Sequence, residues 1–208
     1  MTGGPAGAPR VVLATRNQHK LAELRRILDD AAVAVALLGI DGFPEIPEVP
    51  ETGATFAENA LLKARTVAKV TGLPAVADDS GLCVDALGGM PGVFSARWAG
   101  RHGDDEANLV LVLGQLADVP PERRGAHFAC AAALVLPDGR ERVVEGRIDG
   151  RVIEEPRGTG GFGYDPIFVP DGDTRTTAEM TPDEKDAISH RGRAFRALAP
   201  LIAELVRP

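Results

Sequence analysis

Two rhythms of apolar residues alternate along the chain. Residues 10–15 (RVVLAT) form a short apolar run, the pattern of a buried strand. Leu21, Leu24, Ile27 and Leu28 then recur at helical spacing, and residues 34–40 return to a strand pattern. Residues 41–53 place three prolines among acidic side chains and read as a loop. Thr55 and Glu58 stand at capping-box spacing before a helix whose inner stripe is Phe56, Ala60, Leu61, Ala64, Val67 and Ala68. Residues 74–77 (PAVA) predict a buried strand ending at Asp78-Asp79. A short strand over 83–87, a turn over 88–92 (GGMPG) and a helix over 104–116 follow. Residues 126–136 and 142–153 form a predicted hairpin about Pro137-Asp138-Gly139. Residues 158–163 (GTGGFG) are a flexible loop. Thr181-Pro182 opens a last helical region, with Phe195, Leu198, Leu201, Ile202 and Leu205 as its stripe. Strands alternating with helices, then a long hairpin, predict an α/β fold with a central mixed sheet flanked by helices, arranged as two lobes around an active-site cleft.

Composition narrows the partners. The 208 residues suit one domain or two tightly packed lobes. Aromatics are only 4% of the chain, so Val, Leu, Ile and Ala must fill the core. A net charge of -7 excludes the global basic field of a polynucleotide binder, so an anionic ligand has to be met by a local cluster of donors. Cys83 and Cys130 lie in apolar stretches with neither a disulfide framework nor C-x-x-C spacing, as expected of buried, reduced thiols in a cytoplasmic protein. Residues 1–9 are small and polar without an apolar h-region and read as a disordered tail. No stretch approaches the ~20 apolar residues of a membrane span.

Five segments carry chemistry. At Thr15-Arg16-Asn17-Gln18-His19-Lys20 a strand hands over to a helix, whose N-terminal N–H groups and partial positive charge suit a phosphate. Thr15 and Asn17 add neutral donors and Lys20 a full charge; the segment fits neither the G-x-G-x-x-G nor the Walker pattern. Glu51 is a loop carboxylate placed to ligate a metal, and Lys63 on the following helix can reach a phosphate. Asp78-Asp79-Ser80-Gly81 sets two acids at the end of an apolar strand. Buried together they need a compensating cation, for which Mg²⁺ and its preference for oxygen ligands are apt. Residues 158–166 (GTGGFGYDP) set Phe162 and Tyr164, two of only eight Phe and Tyr residues, among glycines that let a ligand approach closely. Lys185 and Ser189-His190-Arg191 supply donors suited to purine carbonyl oxygens.

Taken in order, these stretches resemble the inosine triphosphate pyrophosphatases, a family acting on non-canonical purine nucleotides. The matching segments are T-x-N-x-x-K at 15–20, ETGATFAENALLKA at 51–64, ADDSGL at 77–82, LGGMPGVFSARWAG at 87–100, GTGGFGYDPIF at 158–168 and EKDAISHRG at 184–192. The resemblance implies an elongated α/β fold with one catalytic domain over 10–208, a homodimer, and hydrolysis of ITP, dITP and XTP to the monophosphate and pyrophosphate. It implies Thr15 to Lys20 on the triphosphate, Asp79 as catalytic carboxylate and Mg²⁺ ligand, and Ser80 against the substrate. Phe162, Gly163, Tyr164 and Asp165 would hold base and sugar, with Lys185, His190 and Arg191 completing the pocket. Lys63 and Glu51 would lie near phosphates and metal. Arg16 departs from the glycine of many members.

Three other classes are weighed against this one. A pyrophosphatase for pyrimidine or unmodified nucleotides is disfavoured by the GFGYDP and SHR segments. A non-catalytic nucleotide sensor is disfavoured by Asp78, Asp79 and Lys20. A phosphatase working through an aspartyl phosphate needs an acid at the end of the first strand, where this chain has Thr15 and Asn17.

Overall fold

The computed structural model describes residues 8–205, apart from the side chains of His19 and Leu205. Most of the expected tail lies outside the described residues, but Pro9 is already part of the fold: its carbonyl accepts the Ala36 N–H at 2.8 Å. The strands are β1 (Arg10–Leu13), β2 (Ala36–Gly39), β3 (Ala75–Val84), β4 (Met90–Pro91), β5 (Gly125–Val135), β6 (Glu141–Val152) and β7 (Phe168–Pro170). The helices are α1 (Gln18–Asp30), α2 (Phe56–Thr71), α3 (Asp105–Gln115), α4 (Pro182–Ile188) and α5 (His190–Leu205).

The strands form one mixed sheet in the order β2-β1-β3-β5-β6-β7, with β4 paired to β3. β1 runs parallel to β2 and to β3, whereas β4 is antiparallel to β3 and β7 to β6. The chain divides into two compact units. Unit one comprises residues up to Asp79, Cys130–Gly146 and Arg191 onward; unit two comprises Ser80–Ala129 and Arg147–His190.

In unit one, residue parity decides which helix each strand residue meets. Val11, Leu13, Val76, Cys130, Ala132 and Leu134 pack with Leu24, Ile27 and Leu28 of α1 and with Phe195, Leu198 and Ile202 of α5. The intervening residues Val12, Ala75, Ala77, Ala131, Ala133 and Val135 pack with Ala60, Ala64, Val67 and Ala68 of α2. Covering both faces leaves no room for alternating polar residues, hence the unbroken apolar runs read from the sequence. Unit two has its own core, in which Leu82, Val84, Phe128 and Ile148 meet Leu109, Val112 and Leu116 together with Tyr164, Ile167 and Phe168.

The expected strand over 83–87 is not separate: residues 83 and 84 end β3 and Asp85–Leu87 form a 3-10 turn, while the expected turn over 88–92 contains β4. Two larger expectations also change. β3 does not stop at Asp78-Asp79 but runs ten residues through them, because each acid finds cationic partners on its own face of the sheet. Gly81 lets a neighbouring turn approach this strand closely. A Cβ there would sit 2.3 Å from Ser95 Oγ and 2.4 Å from the Gly92 carbonyl, so only glycine lets that turn pack against the strand. The last helical region is two helices: Ser189, extended at ψ 148°, separates α4 from α5. The hairpin turn is as expected, with Leu136 N–H donating to Arg140 C=O at 2.8 Å and Gly139 N–H to Leu136 C=O at 3.0 Å.

Candidate active site

β3 delivers consecutive carboxylates to opposite faces of the sheet. Asp78, 3% exposed, follows the parity of Val76 and turns to α1 and α5. Its Oδ2 accepts from Lys20 Nζ at 2.8 Å and from Arg191 Nε at 3.1 Å. Asp79, 8% exposed, follows Ala77 and turns to α2, where Oδ1 accepts from Lys63 Nζ at 3.0 Å and Oδ2 from Asn59 Nδ2 at 3.1 Å. The two acids therefore share neither a turn nor a direct ion-pair partner; the period of two along a strand separates them.

Their electrostatics diverge accordingly. Burial alone would raise the Asp78 pKa, but Lys20, Arg191 and Lys63 outweigh it and hold the carboxyl well below the usual range. At Asp79 burial dominates and the charge of Glu51 adds to it, so its pKa is raised despite Lys63 and Asn59. Lys63 also donates to Glu51 Oε1 at 3.1 Å. Burial would lower the Lys63 pKa, but the carboxylates of Asp79, Asp78 and Glu51 raise it.

One ammonium thus bridges two carboxylates, Glu51 and Asp79. Their hard oxygen donors fit Mg²⁺. Among the described residues no group of three or more His, Cys, Asp or Glu side chains could hold a metal. Two carboxylates, with the remaining positions given to water and phosphate oxygens, match the usual habit of Mg²⁺.

The expected phosphate loop is organised by its own side chains. Thr15 Oγ1 accepts the Asn17 N–H at 3.1 Å, and Asn17 Oδ1 accepts the Lys20 N–H at 3.4 Å, as a helix cap does. Gln18 Nε2 donates to Asp41 Oδ2 at 2.8 Å, and Arg16 is exposed. The His19 side chain lies outside the described residues. On α2, Thr55 Oγ1 accepts the Glu58 N–H, but the Glu58 carboxylate reaches back to Ala54 N–H at 2.6 Å rather than to Thr55. That closes the turn after Glu51.

Unit two holds the remaining expected residues, with Ser80 half-buried at its start. Phe162 is 49% exposed, and the Lys185 ammonium sits 4.8 Å from its ring centroid. Asp165 is buried and organises the loop: its carboxylate accepts the Phe162 N–H at 2.7 Å, the Thr177 hydroxyl at 2.8 Å and the Lys185 ammonium. Gly161, at φ 73°, lets the chain wrap this carboxylate; a Cβ there would sit 2.1 Å from Asp165 Oδ2. Gly163 N–H donates to Asp105 Oδ2 at 2.8 Å. Tyr164 is a core residue, 4% exposed, with its hydroxyl donating to the Ser95 carbonyl at 2.9 Å. The side chains of Tyr164 and Asp165, expected against base and sugar, are thus engaged with the protein. His190 stacks on Phe128 at 4.9 Å with the planes 10° apart.

The chain as a whole is matched by known proteins. The Ham1 family profile fits residues 11–201. The chain belongs to the Ham1 family. It is 67% identical over 197 residues to the dITP/XTP pyrophosphatase of Streptomyces coelicolor, covering 95% of this chain and 98% of that one. The solved dITP/XTP pyrophosphatase of Mycobacterium abscessus is 61% identical, with a TM-score of 0.78 over 92% of this chain and 99% of that one. A HAM1 protein of Coxiella burnetii is 43% identical, with a TM-score of 0.87 over 94% and 99%.

Three residues that touch the expected site residues carried no role in the sequence reading. Asn59 is fully buried; its Oδ1 accepts Gly53 N–H at 2.8 Å while its Nδ2 holds Asp79. An Asn at i and a Lys at i+4 on one helix face was the available signal. Phe128, stacked on His190 in unit two, and Glu23, 3.9 Å from Arg191 in unit one, gave no signal, because only the fold brings each to its neighbour.

Proposed function

We propose that this Ham1 protein hydrolyses deaminated purine nucleoside triphosphates (ITP, dITP and XTP) to the monophosphate and pyrophosphate. The carrying observation is Asp79, a buried carboxylate with a raised pKa, held by Lys63 and Asn59 beside Glu51. A base works best with a pKa drawn toward the working pH, and burial moves Asp79 in that direction. The names of the Streptomyces and Mycobacterium relatives support the substrate class.

Glu51 and Asp79 are the residues that would hold Mg²⁺, which supplies charge neutralisation at the phosphate oxygens. Asp79 orients a water and accepts its proton as the water oxygen bonds to the α-phosphorus. The bond from that phosphorus to the bridging oxygen breaks, and pyrophosphate leaves with the electron pair. Lys20, Lys63 and the loop of residues 15–20 meet the triphosphate charge. Ser80, which follows Asp79 in β3, is the further residue proposed to touch the substrate. Phe162 offers an exposed ring to the base. Gly163, Tyr164 and Asp165 belong to the loop that carries that ring, with Asp165 accepting the Phe162 N–H. Lys185 and His190 in unit two and Arg191 in unit one are the proposed donors to the base. A 6-oxo purine accepts from such donors; adenine presents a 6-amino donor and leaves them unpaired, at about 1–3 kcal/mol per group.

A homodimer and a cytoplasmic location belong to the same proposal. Exposed Met90, Phe94, Val110 and Leu111 in unit two supply apolar surface for a second copy. No helix of the described residues is long and apolar enough to cross a membrane. Sedimentation equilibrium tests the dimer and cell fractionation the location.

The deciding experiment is a pyrophosphate-release panel over ITP, dITP, XTP, GTP and ATP with Mg²⁺ or EDTA. Mg²⁺-dependent pyrophosphate release favouring ITP and XTP over ATP is expected. Orthophosphate as first product, or equal turnover of ATP, would refute the assignment.

A further inference from the structure

We propose that Asp78 is a positioning residue whose single buried oxygen Oδ2 sets both Lys20 and Arg191, tying the phosphate-side cation to the base-side guanidinium, and that it is not a metal ligand. This rests on the functional reading above. Lys20 comes from α1, Arg191 from α5 and Asp78 from β3, so three elements distant in sequence converge on one oxygen. Asp78 Oδ1 is buried and makes no hydrogen bond, so the carboxylate's hydrogen bonding is concentrated on Oδ2. Glu23 Oε2 stands 3.9 Å from Arg191 Nη1 on the same side of the sheet and leaves the guanidinium between two acids. With Nε committed to Asp78, any donation by Arg191 to a base comes from its terminal nitrogens, whose direction the Asp78 contact fixes. Strand alternation turns Asp78 away from the α2 side, where Glu51, Lys63 and Asp79 meet, which removes it from the proposed ligand set.

The test compares wild type, Asp78→Asn and Asp79→Asn. Pyrophosphate release is measured with ITP and ATP across a Mg²⁺ titration, and half-saturating Mg²⁺ is also read, without turnover, from the Mg²⁺-induced shift in melting temperature. The carboxamide keeps the volume but cannot neutralise two cations. Its ITP-over-ATP ratio of kcat/KM is expected to fall by about tenfold, the scale of one misplaced buried hydrogen bond. Its half-saturating Mg²⁺ stays within about twofold of wild type, while that of Asp79→Asn rises. A merely structural role would lower the yield of active enzyme without moving that ratio. An unchanged ratio, or a half-saturating Mg²⁺ raised about as far as in Asp79→Asn, overturns the proposal.

Should Asp78→Asn fail to fold, Lys20→Gln, Arg191→Gln and the double variant keep Asp78 in place. Losses in kcat/KM for ITP that fail to multiply support a shared anchor, and losses that multiply overturn it. Failure of wild type to release pyrophosphate from ITP strikes the functional assignment instead, and is seen before any variant is made.

Discussion

Asp79→Asn should separate function from stability. The substitution removes one negative charge at nearly constant volume. In the native site Asp79 accepts from Lys63 at 3.0 Å and from Asn59 at 3.1 Å. Asn59 cannot turn its amide round without losing the Gly53 N–H, which it holds at 2.8 Å. A carboxamide at 79 can therefore satisfy only one of the two donors and must point its own N–H groups at the other, costing about 1–3 kcal/mol. The opposing effect is relief of a buried anion beside Glu51, which raises the Asp79 pKa. A carboxyl whose folded pKa is raised contributes stability at low pH and loses it as pH rises through the folded value. The variant escapes that loss. Its melting temperature in EDTA, relative to wild type, should therefore climb as pH rises above the ordinary aspartate value of about 4.

With the two effects opposed, the net change at pH 8 should stay within about 2 kcal/mol, or less than ~8 °C for a chain of this length. Turnover should behave differently. Losing the base lowers kcat for ITP by ~10²–10⁴-fold. Calorimetry in EDTA and pyrophosphate release at saturating ITP with Mg²⁺ measure the two quantities. A melting temperature lowered by more than about 15 °C would make Asp79 a structural residue. A kcat within about threefold of wild type would remove it from the chemistry.

Lys63→Met leaves Glu51 and Asp79 without their shared ammonium, so the acid limb of the kcat/KM profile for ITP should move to higher pH, as a pH–rate series would show. Phe162→Ala removes a half-exposed ring from the proposed base site; KM for ITP should rise by about 5- to 150-fold, the value of ~1–3 kcal/mol of stacking, with little change in urea midpoint. Tyr164→Phe should do the reverse. It deletes the buried bond to the Ser95 carbonyl and should cost about 1–2 kcal/mol in urea denaturation while KM for ITP barely moves.

The elements were legible where apolar periodicity was strong. β1, α1, α2 and the β5–β6 turn fall where the pattern places them, because one covering layer per face enforces the rhythm. The break predicted at Asp78-Asp79 was an error of local reasoning. Two acids in succession look like a strand end, and only the distant Lys20, Lys63 and Arg191 make continued extension favourable. The candidate site was visible as motifs, but not the division of labour within them. The sequence pattern puts Phe162 and Tyr164 on equal terms, yet one ring is half exposed and the other buried. Asp165 consumes both its oxygens in holding the loop. Phe128 lay beyond any local pattern, since its contact with His190 spans β5 and the start of α5.

The assignment of different tasks to Asp78 and Asp79 depends on residues that carry no charge. Two neighbouring carboxyls whose pKa values are pushed apart can be told apart as fixed anion and proton acceptor. Here one lies below the usual range and the other above it. What sends each to its own surroundings is the register of β3, pinned by Ala75 opposite Val12 and Val76 opposite Leu13 and by the packing of Val76 on one face and Ala77 on the other. A slip of one residue would point Asp79 at Lys20 and Arg191 and Asp78 at Lys63 and Asn59, and would bury Val76 against the small residues of α2. The apolar residues preceding the acids therefore select which carboxylate is locked as an anion and which is left with a pKa drawn toward neutrality. A volume change at Val76 or Ala77 should disturb catalysis through that register even though neither side chain reaches a nucleotide.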